Sequence, residues 1–343
     1  MNIRKCKTCG IILGMRPNTK DTDCICSACK NAEKKKKINF KERQEWLTQY
    51  IKENKTHPVY DCLVGVSGGK DSHMIVKRLV EEHGCKNILL VNMMDEFTKT
   101  KAGEHNLSNI AERYNCDMIT YRFNPKTFKE KAKEGLENDL FPLKWFEDRL
   151  YKTPFEIAQK FGIKLVFYGE NAEFEYGSSE TLEVFHPLSN DETKLIYLGA
   201  IWPYSIMDSL NCAREAGFRD LDYYNEWQRQ GQIENYTQID SIGYIVAVWC
   251  KFPKFGFQRV SDIACRFVRD GILTKEQAEQ YISESDWILD SAAKRDLCRV
   301  IGVTEEFFDE CVDKHANRDI LKKDRNGNWR RKDYFPPSFW GNN

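Results

Sequence analysis

The sequence predicts an α/β protein: a doubly wound parallel sheet, with a small cysteine ribbon ahead of it and a mainly helical region behind it. Three observations predict this. Apolar, β-branched runs alternate with helical-period segments between residues 57 and 190, the pattern of βαβ units with right-handed crossovers. A glycine turn, Ser67-Gly68-Gly69-Lys70-Asp71-Ser72, joins the first of those strands to the first helix. Two C-x-x-C pairs, Cys6-Lys7-Thr8-Cys9 and Cys26-Ser27-Ala28-Cys29, stand near the N-terminus.

Composition narrows the class. The 343 residues can bury one large core or two modest ones. No run approaches the ~18 apolar residues of a membrane span, and the N-terminal stretch lacks the apolar segment of a secretory signal, so a cytoplasmic location is expected. Lysine plus arginine and aspartate plus glutamate both number 52, and a net charge of zero argues against a dedicated nucleic-acid binder. The charge is uneven: residues 1–60 carry about +8 and the remainder about −8. Thirteen cysteines with no signal segment read as thiols, some of them metal ligands, rather than as a disulfide framework.

Residues 1–40 form the ribbon module. Its two knuckles are sixteen residues apart, zinc-ribbon spacing, and Cys6, Cys9, Cys26 and Cys29 can close a tetrahedral shell with no open position. The expected role is structural, because so short a segment needs a metal to fold. Cys24 is a spare thiol, able to stand in for Cys26. The Lys34–Lys37 run reads as a solvated face of the linker, a phosphate or RNA contact being the sharper alternative. Residues 41–56, with Trp46, Leu47, Tyr50 and Ile51 at helical spacing, read as an amphipathic linker helix.

Four strands are expected in residues 57–190: Asp61–Val66, Asn87–Asp95, Asp117–Tyr121 and Lys164–Gly169. Helices are expected over Ser72–His83 and 102–115, and a helix-rich stretch over 125–162 interrupted at Pro142 and Pro154. Ligands of such sheets lie at the strand C-termini, so Ser67–Ser72, Asp95 and Gly169-Glu170-Asn171 share one rim. The strand–turn–helix makes an anion cradle: backbone N–H groups and a helix N-terminus face the turn, glycine admits an oxyanion, Lys70 adds charge and Ser67 and Ser72 add hydroxyls. Asp95 ends the second strand, where it would sit near an adenosine or form a turn. Asp71 is the first carboxylate for a magnesium ion on a phosphate; Glu170, Glu173 and Glu175 follow the fourth strand, as further acids or as a solvated acidic loop.

The loop has neither Walker A nor G-x-G-x-x-G spacing. It resembles the Ser-Gly-Gly-x-Asp-Ser loop of the ATP pyrophosphatase (PP-loop, HUP-like) superfamily, whose members cleave ATP between the α- and β-phosphates and adenylate a carbonyl oxygen. The resemblance implies ATP at Ser67, Gly68, Gly69, Lys70, Asp71, Ser72, Asp95 and Gly169. It also implies a metal-binding acid just after the fourth strand, Glu173 or Glu175, beside Asp71.

Residues 191–343 read as mainly helical, serving sugar binding, a partner or oligomerisation. Helices are expected over Ser285–Cys298 and Thr304–His315, and Thr274 with Gln277 forms a capping box. In the stretch after Phe252, cations alternate with aromatics; Lys254 and Arg259 suit a phosphorylated or carboxylated ligand, while Arg266 and Arg269 read as a basic solvent face. Gly169-Glu170-Asn171, Glu175-Tyr176-Gly177, Leu198-Gly199-Ala200, Lys254-Phe255-Gly256-Phe257-Gln258-Arg259 with Ser261-Asp262, and Arg269-Asp270-Gly271, together with the ribbon and the loop, resemble the N-acetyl sugar amidotransferases of bacterial surface-glycan biosynthesis over about residues 1–290. These enzymes are similar to those forming acetamidino sugars for lipopolysaccharide O-antigen or pseudaminic acid derivatives.

That resemblance implies an ATP-dependent ligase that adenylates an acetamido oxygen and replaces it with nitrogen from ammonia. Lys70, Asp71, Lys254 and Arg259 would be catalytic, and Glu170, Asn171, Lys254 and Arg259 would bind the sugar. ATP, Mg²⁺ and Zn²⁺ are the implied cofactors. No glutaminase is visible in the chain, and residue 2 is Asn rather than a nucleophilic cysteine. A separate glutaminase subunit is therefore expected, like that of imidazole glycerol phosphate synthase, with or without a cyclase-like companion. The alternative is a tRNA-thiolating enzyme. That chemistry wants cysteines at the active-site rim, whereas Cys62, Cys85 and Cys116 lie in or beside strands.

Overall fold

The computed structural model describes residues 3–17 and 19–340. The ribbon contributes a short antiparallel hairpin, β1 (Asp21–Thr22) and β2 (Ile25–Cys26), turned by Asp23 and Cys24 at φ of 59° and 60°. Helix α1 (Ser27–Lys35) grows directly out of the second knuckle, and α2 (Phe40–Asn54) follows, its N-cap Asn39 accepting from Glu42 N.

The sheet is built next. The order along the chain is β3 (Cys62–Val66), α3 (Lys70–Glu81), β4 (Ile88–Met94), α4 (Lys101–Tyr114), β5 (Asp117–Arg122), α5 (Pro125–Asp139), α6 (Lys144–Phe161), β6 (Leu165–Tyr168), α7 (Ala172–Tyr176) and β7 (Lys194–Tyr197). The five strands are parallel in the order β5-β4-β3-β6-β7. Alternate residues serve opposite faces. Val64, Val66, Leu90 and Phe167 pack against α2, α3 and α4, while Leu63, Leu89, Val91 and Val166 pack against Phe155 and Ala158 of α6. The chain runs outward from β3 to β5, then returns to the other side of β3 with β6. The crevice between the C-terminal ends of β3 and β6 is therefore the topological switch point.

Two expectations about this region need correction. The parallel sheet does not end by residue 190: β7 adds a fifth strand beyond it, too short and too close to the helical second half to be read by pattern. Pro154 does not interrupt a helix either, because α6 runs through it. Proline leaves the carbonyl four residues earlier without its N–H donor, and the Tyr168 hydroxyl donates to that carbonyl, Leu150 O, instead.

The second half carries α8 (Ile206–Glu215), which packs on α3, then α9 (Leu221–Tyr224), α10 (Ile245–Trp249), α11 (Lys251–Phe255), α12 (Arg259–Arg269), α13 (Lys275–Ser285), α14 (Ser291–Ile301), α15 (Glu305–His315) and a hairpin of β8 (Leu321–Lys323) with β9 (Trp329–Arg331). The Thr274–Gln277 capping box is present at the start of α13. The helix expected from Ser285 begins instead at Ser291, because Ser285 ends α13 and Asp290 caps α14 by accepting from Ala293 N at 2.8 Å. Phe128 and Leu136 of α5 with Leu140 just past its end, Phe252, Leu297 and Phe308 of the second half, and Ile11 to Leu13 of the ribbon share one apolar core. No helix among the described residues is long and apolar enough to cross a membrane.

Candidate active site

The Ser67–Ser72 loop leaves β3 at the switch point and enters α3. Gly68 takes φ of +88°, and a Cβ there would stand 3.0 Å from Leu107 N of α4, so glycine is required twice over. The loop braces itself: Ser67 N donates to Ser72 Oγ at 3.0 Å and Gly69 N to Ser67 Oγ at 3.2 Å. His73, fully buried beneath it, holds Gly69 O with Nδ1 at 3.1 Å, and its Nε2 faces Asn109 Nδ2 at 3.1 Å. No described residue accepts from the amides of Gly68, Lys70, Asp71 or Ser72. These open donors at a helix N-terminus are an anion cradle.

Asp71 is held asymmetrically. Lys70 Nζ at 2.7 Å, Ser209 Oγ at 2.6 Å and Tyr204 Oη at 3.1 Å all donate to Oδ1, and no described residue donates to Oδ2. The Asp71 side chain is 38% exposed while Lys70 is 3% exposed. Burial opposes the charge on Asp71, but the Lys70 ammonium and the two hydroxyls outweigh it and hold the carboxyl below its usual range. One oxygen anchored and one open, beside unpaired amides, suits a divalent cation bridging to a phosphate. Lys70 also donates to Tyr204 Oη at 2.9 Å.

The β6 end supplies the facing wall. A Cβ on Gly169 would stand 3.3 Å from Asp71 Cβ, so any side chain here crowds Asp71. Asn171 is spent on structure: its Oδ1 caps α7 at Phe174 N, and its Nδ2 donates to Glu183 O at 3.0 Å. Glu170 pairs with Arg266. Glu175 accepts from Lys35 at 2.8 and 3.0 Å and lies 4.0 Å from Arg266. Glu173 is exposed and makes no ion pair among the described residues. Glu175 is committed to two cations. Asp95 acts as a turn former, accepting from Phe97 N at 3.0 Å, Lys99 at 3.0 Å and Ser241 at 2.8 Å, and not as an open rim carboxylate.

Helix α12 forms the roof. Arg259, Asp262 and Arg266 lie three and four residues apart, on one helical face, and that face is turned inward. Arg266 is 4% exposed, over the rings of Tyr176 and Tyr204. The solvent-face expectation for Arg266 is thus reversed; its buried guanidinium is explained by Glu170. Arg259 donates to Tyr176 Oη at 3.1 Å. Asp262 receives Arg16 from the ribbon and Lys251 at 2.6 Å, and burial is outweighed by these cations, so its carboxyl titrates well below the ordinary range. Lys254 is elsewhere. It donates to Asp139 O at the end of α5, at 2.9 Å, between the rings of Phe141 and Phe255. Its hydrogen-bond and ring partners lie outside the loop, α7 and α12, so the structure places it at a helix end rather than beside the other expected site residues.

The ribbon thiols converge. Cys6, Cys9, Cys26 and Cys29 have their sulfurs within 4.8 Å of one another, with Cys6–Cys29 at 3.9 Å and Cys9–Cys26 at 3.8 Å. Zinc with Zn–S bonds of about 2.3 Å asks for sulfur–sulfur edges of about 3.8 Å in a tetrahedron. The four fit it. Cys24 stays outside the set, in the left-handed turn, and its carbonyl accepts from Lys7 N at 2.9 Å. Lys35 departs from the solvated run expected of Lys34–Lys37 by turning inward to Glu175.

The roof lies in a stretch that is similar to a known kind of domain. Residues 230–334 match the family of the LPS biosynthesis protein WbpG-like, C-terminal domain. This WbpG-like domain spans α10 to β9, and α12 is its contribution to the rim. A protein of Methanocaldococcus jannaschii, described as uncharacterized protein MJ1599, is 25% identical over 226 residues, covering 66% of this chain and 73% of that protein. Sequence reasoning missed Tyr204, Ser209, Lys35 and Arg16. Nothing local marks them, since each reaches the site from an element distant in sequence. The spacing of Arg259, Asp262 and Arg266 was the one available signal for the roof.

Proposed function

We propose that the chain is an ATP-dependent, AMP-forming N-acetyl sugar amidotransferase of lipopolysaccharide or related surface-glycan biosynthesis. The observation that carries this is the pairing of four open amides at residues 68 and 70–72 with the open Oδ2 of Asp71, under a roof supplied by a WbpG-like domain.

An amide carbonyl does not yield its oxygen to ammonia. If the acetamido oxygen bonds to the α-phosphorus of ATP as pyrophosphate departs, the oxygen becomes part of a good leaving group. Ammonia then adds to the imidate carbon and AMP departs with the oxygen, leaving an amidine. In this reading the loop amides and Lys70 hold phosphate oxygens. Asp71 Oδ2 would hold Mg²⁺, which neutralises the departing pyrophosphate when bound. Arg259 of the roof and Glu170 of the facing wall orient the sugar. Ammonia comes from a separate glutaminase subunit. What favours nitrogen over sulfur transfer is that Cys62 and Cys85 are buried in or beside the sheet and Cys116 is half-buried, with burial pushing its thiol up to about 11.

Incubation of the purified chain with ATP, Mg²⁺, ammonium and a panel of acetamido sugars tests this. AMP and pyrophosphate should form only with sugar and ammonium present, and glutamine should not replace ammonium. Release of ADP, or efficient use of glutamine by the chain alone, contradicts the proposal.

A further inference from the structure

The ribbon helix α1 carries two polar side chains that the proposed chemistry does not use. Asn31 is 2% exposed and donates to Phe174 O at 2.8 Å and Ser179 O at 2.7 Å. Those carbonyls bracket the turn that ends α7. Lys35, one helical turn on, meets three acceptors: Glu175 Oε1 at 2.8 Å, Glu175 Oε2 at 3.0 Å and Tyr204 O at 2.9 Å. The fit between α1 and α7 is close. Gly177 has φ of +85°, and a Cβ there would stand 2.6 Å from Ala28 N.

Tyr204 connects these contacts to the loop. Its carbonyl is fixed by Lys35, and its hydroxyl accepts from Lys70 and donates to Asp71 Oδ1. We infer that Lys35 is a positioning residue for the Lys70–Asp71 pair, acting through Tyr204, and that the cysteine ribbon is thereby built into the site rather than appended as a separate binding module. An ammonium is not needed to fill this space, since a methionine would cover the same apolar surface. What the ammonium adds is a fixed direction for Glu175 and for the Tyr204 backbone. With Tyr204 released, the hydroxyl that shares Asp71 Oδ1 drifts, and the free oxygen no longer faces the loop amides in one geometry. The inference rests on reading Ser67–Ser72 as a Mg–ATP cradle.

The test is the magnesium dependence of ATP binding, measured by titration calorimetry on the full chain as wild type, Lys35→Met, Lys35→Arg, Tyr204→Phe and the double variant Lys35→Met/Tyr204→Phe. Zinc content and circular dichroism are recorded for each. Lys35→Met should raise the magnesium needed for half-maximal ATP binding by about fivefold or more, and Lys35→Arg should recover most of it. The double variant should shift no further than the larger single one, because both changes act on one connection. A wild type that binds no Mg–ATP overturns the reading of the loop and the inference together. A wild type that binds, with Lys35→Met titrating like it or the two shifts adding in full, overturns the inference alone. Should Lys35→Met not fold, Tyr204→Phe decides: a magnesium dependence equal to that of the wild type overturns the relay.

Discussion

Ser209 donates to Asp71 Oδ1 at 2.6 Å across a separation of 138 residues, tying α8 to the first turn of α3. With Lys70 and Tyr204 on the same oxygen, this bond keeps Oδ2 turned outward. Ser209→Ala should cost about 1 kcal/mol of this arrangement, a roughly fivefold rise in the magnesium needed for turnover. Asp71 titrates below an ordinary carboxyl. Its contribution to stability is therefore complete above the unfolded value, about pH 4, and is lost as pH falls through the folded one. Losing a donor raises the folded value, so the acid limb of activity should move to higher pH. A magnesium titration and pH profile identical to the wild type would remove Ser209 from the site.

Arg266 holds Glu170 and approaches Glu175 inside the roof. Arg266→Met leaves the partly buried Glu170 without its cation, while Glu175 keeps Lys35, a loss of about 3 kcal/mol by analogy with other buried pairs. Adding Glu170→Gln should recover part of it. Denaturant melts of the two variants check this; equal stability of Arg266→Met and wild type would return Arg266 to a solvent-face role.

The ribbon should hold one zinc ion per chain. Cys9→Ser should lose it and lower the melting temperature, because the second knuckle, from which α1 starts, then loses the ion that ties it to the first. Cys24→Ser should keep the full metal content, since Cys24 stands outside the four-sulfur group. Elemental analysis of both variants decides; loss of metal from Cys24→Ser would redraw the ligand set.

His73 is buried beneath the loop, and burial lowers its pKa to about 4. The unfolded chain binds a proton near pH 6.5 and the folded one only near 4. The stability contributed by neutral His73 is therefore present above about pH 6.5 and falls away towards pH 4, by roughly 3 kcal/mol in all. His73→Gln should flatten this part of the stability profile. An unaltered slope between pH 6.5 and 4 would show that His73 does not titrate as the burial implies.

Much of this architecture was legible because the signals are local. The Ser67–Ser72 turn follows an apolar strand and opens a helix, and the two knuckles carry their own spacing. The relations across the site were not legible. Tyr204 and Ser209 lie on and beside a helix whose own sequence is unremarked, and only the packing of α8 on α3 brings them to Asp71. Lys254 misled because alternating cations and aromatics describe a surface contact on α5 as well as they describe a ligand site. Arg266 was hidden for the opposite reason. A basic helix face reads as solvated unless its acidic partner, here Glu170, is known to stand opposite. The strand β7 has four residues, too few for its period to separate it from the helices around it.

In the proposed function this rim exchanges an acetamido oxygen for nitrogen at the expense of ATP. The most direct measurement is mass spectrometry of acetamido sugars after incubation with the full chain, ATP, Mg²⁺ and isotopically labelled ammonium. The account predicts one sugar in which an oxygen is replaced by labelled NH, with AMP formed in equal amount. Sugars that all keep their oxygen while ATP is consumed, or a product carrying nitrogen with ADP released, would contradict it.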